Sequence, residues 1–196
     1  MFIRRAAAKD LSAVADLYDI GRQTMYQQNN TFQWNENYPL LEDAVADYER
    51  CGLFVVTEDE TSEEIIGCFS LLAGPDDAYT NIAEGSWIND FDYVVIHRVA
   101  VKYTGRGIAT YMFRWICENY PNVRVDTHEV NTIMQQTLKR AGFIHCGHVL
   151  GHDAKPRYAF HFAHNLLIRN SCIKKRTCEL ILQVLLCLTY CSASVT

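Results

Sequence analysis

The chain has no excess of positive charge: 18 lysine and arginine residues stand against 23 aspartates and glutamates, a formal net charge of -5. Binding to DNA or RNA draws on a basic face that neutralises phosphates, so a nucleic-acid partner is not expected. A bilayer-spanning run is missing as well. The apolar block at residues 180–188 falls far short of the ~20 residues a membrane helix needs. The N-terminal Met1-Phe2-Ile3-Arg4-Arg5 turns polar at Lys9-Asp10 before the apolar stretch of a secretory signal can form, which makes the cytoplasm the expected location. Internal repeats and low-complexity linkers are absent. Metal-ligand spacing is absent among the first four of the eight cysteines, Cys51, Cys68, Cys117 and Cys146, which are scattered through apolar segments and read as reduced, mostly buried thiols.

What is there suits one domain: 196 residues with 49% apolar content are enough to bury a continuous core. Phe2–Arg5 reads as a strand, and Asp10 is placed to cap a helix whose Leu11, Val14, Tyr18 and Met25 fall at helical spacing. Residues 27–39 are polar and aromatic without a period, a loop of the kind that meets substrates, and residues 41–50 form an acidic helix. Leu53–Thr57 and residues 64–72 flank a polar turn and read as a hairpin. Beyond a long loop, residues 93–101 are the longest strand-like run, continuous enough for a central strand buried on both faces. Ile108, Tyr111, Met112, Trp115 and Ile116 then form one wide apolar stripe on a helix beginning beside Gly107. Val123, Val125 and Thr127 alternate with polar residues as in a strand, and Asn131 caps a helix that Gly142 ends. Residues 143–149 and 157–162 complete the pattern as two strands.

Between the longest strand and the clearest helix lies Gly105-Arg106-Gly107-Ile108-Ala109. A strand that runs into such a loop makes an anion site, because backbone N–H groups point outward at the positive end of a helix and glycines let a phosphate come close. The pattern lacks the Gly-Lys-Ser/Thr ending of a Walker A motif and is not a full dinucleotide fingerprint; by itself it is also compatible with a plain turn before a helix. Its company is more informative: IHRVAVKYTGRGIATYMF at residues 96–113 is followed by VRVDTHEVNTIMQQTLKRAGF at residues 123–143.

Together these runs resemble the acetyl-CoA-binding core of the GNAT superfamily of N-acetyltransferases, over about residues 1–162. The resemblance implies an α+β fold, with a central mixed, mostly antiparallel sheet flanked by helices on both faces. It implies acetyl-CoA as co-substrate, no metal, and transfer of the acetyl group to a primary amine by direct attack in a ternary complex. Residues 1–163 would be the acetyltransferase domain. By the resemblance, Val99, Val101, Gly105, Arg106, Gly107, Ala109 and Thr110 hold the pantetheine arm and pyrophosphate, Asn131 reaches the cofactor near its reactive end, and a backbone N–H near Val99 meets the oxyanion. Two departures stand out. Thr104 occupies a position where family loops usually carry Arg or Gln, in a turn about two residues shorter than usual, and Leu138 replaces a tyrosine that in many members protonates the leaving thiolate. Water or a hydroxyl such as that of Tyr111 must then serve.

For proton removal His97 is the first candidate, a histidine on the buried strand able to titrate near neutrality and matched by a histidine in some members of the family it resembles; the competing role is a hydrogen-bonded core residue. His128 and Glu129 are the second choice, against a solvated loop pair. Tyr26, Trp34 and Tyr38 are placed to line the acceptor site, although loop aromatics also pack against cores. His145, Cys146, His148 and His152 suggest a metal site, but strand alternation sends His145 and His148 to opposite faces, and no metal ligand is assigned. The acceptor is a small-molecule amine or a peptide, a longer acyl group differs only in pocket size, and a homodimer is left open. A non-catalytic acyl-CoA-binding or sensor module is the rival reading, kept alive by Thr104 and Leu138. Residues 164–196, with Cys172, Cys178, Cys187 and Cys191, form an atypical Cys-rich apolar tail that is expected to be dispensable.

Overall fold

In the computed structural model residues 1–164 are described; the expectation of a dispensable tail falls outside the described residues. The elements run β1 (Phe2–Arg5), α1 (Leu11–Gln27), α2 (Leu41–Glu49), β2 (Leu53–Thr57), β3 (Gly67–Ala73), β4 (Val94–Val101), α3 (Ile108–Asn119), β5 (Asn122–Thr127), α4 (Thr132–Arg140), β6 (Ile144–Leu150) and β7 (Pro156–Ala163). Short 3-10 turns at Ala8–Asp10 and Asp77–Tyr79 complete the set. The strands make one seven-stranded sheet in the order β1-β2-β3-β4-β5-β7-β6. Only β4 and β5 are parallel, as a helical crossover through α3 requires; every other neighbouring pair is antiparallel.

Helices cover both faces because each strand sends alternate side chains to each side. On one face Ile108, Met112, Phe113 and Ile116 of α3 meet Phe69, Ile96, Val123, Val125 and Phe160 of the sheet. Fully burying side chains of this size stabilises by about 1.5–3 kcal/mol each, so the α3 stripe is a major source of cohesion. On the other face Val14, Leu17 and Tyr18 of α1 and Ala44 of α2 pack on Leu53, Val55, Cys68 and Ala100. A third cluster, Tyr79, Val95, Val149 and Ala159, lies on that same side of β4 under the long loop at residues 74–93.

That loop is pinned to the sheet by polar groups. Asn122 Nδ2 donates to Asn89 Oδ1 at 2.9 Å and to the carbonyls of Phe91 and Asp92 at 3.0 and 3.1 Å. The buried His161 takes the N–H of Ile88 on Nδ1 at 3.2 Å and, through Nε2 at 2.6 Å, donates to Asn122 Oδ1. Both ring nitrogens are therefore used by the neutral imidazole, and burial, with Arg124 nearby, pulls its pKa down to about 4.

Three local expectations are corrected. Asp10 does not cap α1 with its side chain; its carboxylate receives the N–H of Ala7 at 2.7 Å and pairs with Arg4 at 2.6 Å, holding the β1–α1 turn. The strand expected from residue 64 begins at Gly67, after Glu64 has turned outward to pair with Lys102 at 2.7 Å. Finally, β4 is central but not buried throughout: Val95, Ile96 and Ala100 are buried while His97, Arg98 and Val99 are only partly covered. Among the described residues Cys68, Cys117 and Cys146 are buried thiols and Cys51 is partly exposed, none of them in a disulfide.

Candidate functional site

The partial exposure in mid-strand has a structural cause. β4 pairs with β5 only from Val94↔Val123 to Ile96↔Val125, after which the strands part. On its other edge β4 carries an extra residue: Cys68 of β3 faces Ala100 but Ser70 faces His97, so two steps on β3 span three on β4. Arg98 absorbs the irregularity at φ 50. Such a bulge resets the alternation of side chains. His97 and Arg98, adjacent in sequence, consequently both turn to the α1/α2 side, and Val99 and Val101 return to the α3 side. The N–H of Lys102 bonds to Ile66 on the β3 side, so by alternation the amides of Val101 and Val99 face the open edge.

The open edge leads into the glycine loop. Gly105 and Gly107 sit at φ 76 and 77, left-handed conformations that side chains rarely adopt, and a Cβ on either would meet nothing within 4 Å. Backbone geometry rather than crowding demands glycine at both positions, and the space beside them is free. Gly107 is the N-cap of α3 and offers no side chain to the first-turn N–H groups, those of Ile108, Ala109 and Thr110. Arg106 is exposed, with its guanidinium 4.8 Å from the Tyr103 ring and 3.8 Å from Glu58.

On the α1/α2 side of the parting, His97 Nε2 lies 3.0 Å from Asp76 Oδ2. Burial alone would raise the Asp76 pKa, but hydrogen bonds from His97 and the Ala78 N–H, with His152 also near, hold it down at about 2. An ionised carboxylate only accepts, which assigns the proton of His97 to Nε2 and leaves the Nδ1 lone pair available. Tyr79 stacks against the imidazole with centroids 6.5 Å apart, and its hydroxyl donates to Asp126 at 2.6 Å. Arg98 runs the other way into a buried ion cluster, reaching Asp47 at 2.7 Å and Asp43 at 3.2 Å under the Tyr38 ring, with the Ser70 hydroxyl also bonded to Asp47.

The far wall of the parting is formed by the end of β5 and the start of α4. Asn131 accepts the Met134 N–H at 3.2 Å, capping α4 as expected. Its Nδ2 is 3.5 Å from Gln33 Oε1, which also meets the His128 N–H at 3.2 Å and the Thr127 hydroxyl at 3.4 Å. His128 stacks on Phe32 and takes the Val130 N–H on Nδ1; burial first, then Arg157, pull its pKa below the ordinary histidine value. It lines, with Glu129, His148, Pro156 and Tyr158, a depression of about 230 Å³. His97 and His128 thus belong to different local networks.

Of the aromatic residues expected around an acceptor, Tyr38 is at the Arg98 cluster and Tyr26 is 73% exposed, whereas Trp34 is a core residue whose ring packs edge-on against Tyr18. Tyr111 does not supply a hydroxyl here, since it donates to the Met1 carbonyl at 2.5 Å, and Leu138 is wholly buried. The alternation reading for His145 and His148 is overturned. A second register shift between His145 and Gly147 places both rings against Tyr158, 5.8 Å from one another. Asp76, Tyr79 and Gln33 were not legible as site residues in the sequence. Asp76 and Gln33 lie in aperiodic loops and Tyr79 ends a short 3-10 turn, and only their contacts distinguish them.

The pattern of the Acetyltransferase (GNAT) family matches residues 15–143, more than half of the chain. Among solved structures, an acetyltransferase of the GNAT family from Streptococcus agalactiae 2603 is similar at a TM-score of 0.76 and 27% identity, over 84% of this chain and 95% of that one. The structure of yncA from Salmonella typhimurium with its cofactor acetyl-CoA gives 0.55 at 14% identity, over 87% and 98%. The aminoglycoside acetyltransferase AAC(6')-Ib in complex with coenzyme A and kanamycin gives 0.56 at 17% identity, over 83% and 94%. At such identities the last two likenesses concern the fold. No curated protein matches the chain.

Proposed function

The chain belongs to the GNAT acetyltransferase family, and on that premise we propose that it moves the acetyl group of acetyl-CoA to a primary amine bound on the His97 side of the open β4 edge. The observation that carries this reading is the parting of β4 from β5 after three rungs, with an unpaired strand edge leading to two left-handed glycines and an uncapped helix. An extended amide-containing arm suits such an edge, and a pyrophosphate suits the amides of a helix start. Val99 and Val101 would hold the arm through their backbone. Gly105, Gly107, Ala109, Thr110 and Arg106 would hold the phosphates, and Asn131 would exchange its long contact to Gln33 for the cofactor.

Acetyl-CoA supplies an activated acyl carbon, and direct attack on it requires a neutral amine and a donor for the oxyanion. The amine arrives as an ammonium with a pKa near ~10. In this reading His97 Nδ1 takes one proton from it, while Asp76 fixes the ring through Nε2 and stabilises the imidazolium that forms. The Val99 N–H, on the open edge, would receive the oxyanion. With Leu138 apolar and Tyr111 bonded elsewhere, water would carry the second amine proton, released from the tetrahedral intermediate, to the departing thiolate. His128 and Glu129 would border the acceptor from the β5 side, along with Tyr38 and Tyr26. A kanamycin-bound structure of the same fold makes a polyamine a sensible first acceptor, with peptide N-termini second.

Acetyl-CoA incubated with the protein and a panel of small amines, polyamines and short peptides should release free thiol in an amine-dependent manner. Saturable acetyl-CoA binding with no release for any amine would instead establish the sensor module, the reading favoured by the buried Leu138.

A further inference from the structure

We propose that Asp76, His97 and His152 form a binding site for a divalent cation of the zinc class, and that its occupation switches the transferase off. The three residues come from separate segments: the loop after β3, the bulged part of β4, and the β6–β7 turn. One ligating atom from each lies within 4.8 Å of the other two. His97 Nε2 is 3.0 Å from Asp76 Oδ2 and His152 Nε2 is 3.3 Å from Asp76 Oδ1. Zinc ligands about 2.0–2.2 Å from the ion in a tetrahedron stand roughly 3.4 Å apart, so the set, whose two histidine contacts are now made to different Asp76 oxygens, needs a small contraction around one shared oxygen.

Two of the ligands are preformed. The Asp76 and His97 side chains are 13% and 14% exposed, and Tyr79 stacking fixes the His97 ring. His152 is the movable third, 68% exposed on its turn, with its ring centroid 6.1 Å from that of His97. Two imidazoles and one carboxylate, with a fourth position left to water, make a nitrogen and oxygen set that suits zinc and cobalt better than magnesium or calcium. The metal candidates raised by the sequence contribute only His152 to it.

Inhibition follows from the tautomer. A cation on His97 needs the Nε2 lone pair, so the ring proton must move to Nδ1, and the nitrogen that would accept the proton of the amine becomes a donor. The added positive charge also repels an ammonium acceptor. This half of the proposal rests on His97 as the base; the binding half does not.

The test uses the full chain freed of metal by chelation, with Co²⁺ and then Zn²⁺ as probes. Co²⁺ should bind with visible d–d bands free of the thiolate charge-transfer that cysteine ligation would add. His152→Ala and Asp76→Asn should each weaken that binding at least ~10-fold, while His148→Ala leaves it unchanged. His152→Ala should keep metal-free turnover within about twofold and escape inhibition by Zn²⁺. Absence of saturable binding, or binding indifferent to His152→Ala, overturns the site. Binding that depends on His152 without inhibition of thiol release overturns the switch and the assignment of His97 as base, and leaves the site itself standing.

Discussion

At the scale of single residues, His97 and His161 show how one side chain type is put to opposite uses. His97 is hydrogen-bonded through one nitrogen, to Asp76, whereas His161 has both nitrogens engaged in the interior. His97→Gln is expected to lower turnover by about 10²–10⁴, with acetyl-CoA affinity by calorimetry nearly unchanged. Asp76→Asn should fall between that variant and the wild type, because the ring loses its anionic partner but keeps its lone pair. For His161 the readout is stability. Its pKa of about 4 in the folded state lies below the ~6.5 of an unfolded chain. Above about pH 6.5 both states are neutral and the contribution is complete. As pH falls the unfolded chain takes up the proton first, so stability declines towards pH 4 and levels off below it. Urea titrations of His161→Gln between pH 4 and 6.5 should show a slope reduced by up to ~1.4 kcal/mol per pH unit, on top of a loss at all pH values from the severed bond to Asn122.

At the scale of elements, the bulge in β4 and the loop before α3 determine what the sheet presents. Gly107→Ala places a Cβ in open space but in a left-handed backbone, so about 1–2 kcal/mol of strain is expected from conformation alone. The same change should weaken acetyl-CoA binding, and Arg106→Glu should weaken it further; unchanged affinity in both would mean that the phosphates lie elsewhere. Arg98→Met leaves two carboxylates, Asp43 and the buried Asp47, without their cation, and such uncompensated charge typically costs about 3–5 kcal/mol. Combining it with Asp47→Asn should restore part of the loss in a denaturant titration.

These elements also mark how far the sequence could be read. Wherever a segment keeps its period, as in the α3 stripe or the alternation of Val123, Val125 and Thr127, its existence and buried face follow from the residues. The glycine loop was legible because left-handed backbone has a residue requirement. Bulges have none here: a period-two pattern assigns His97 and Arg98 to different faces, and His145 and His148 likewise, while the extra residue in each strand brings the pair together. Asp76 and Gln33 were illegible for another reason. Contacts between distant loops leave no trace in local spacing.

At the scale of the whole molecule, the backbone ladder is continuous from β1 to β4 and from β5 to β6, and three rungs join the two halves. A ligand seated along the parted edges bridges them, so acetyl-CoA at ~100 times its dissociation constant should stabilise the fold by about 2.7 kcal/mol, several degrees in melting temperature for a domain of this size. Hydrogen exchange should slow most at the Val99 and Val101 amides on addition of acetyl-CoA, whereas the buried Val55 and Val56 should slow only by the global stabilisation.

The irregularity in β6 has a further consequence for how copies of the chain meet in concentrated solution. β6 and β1 are the two rims of the sheet, and an unbroken rim is a template for edge-to-edge aggregation. β1 offers only four residues, two of them arginines. Along β6 the row of amides is broken at Gly147, with φ 139, and the next residue, His148, is already taken on both its N–H and C=O by Ala83 of the long loop at 2.8 Å. A Cβ at position 147 would stand 2.5 Å from the Ala83 oxygen, so any side chain there pushes the covering loop away. A protein carrying Gly147→Val should therefore lose its resistance to amyloid-type association before it loses its helices.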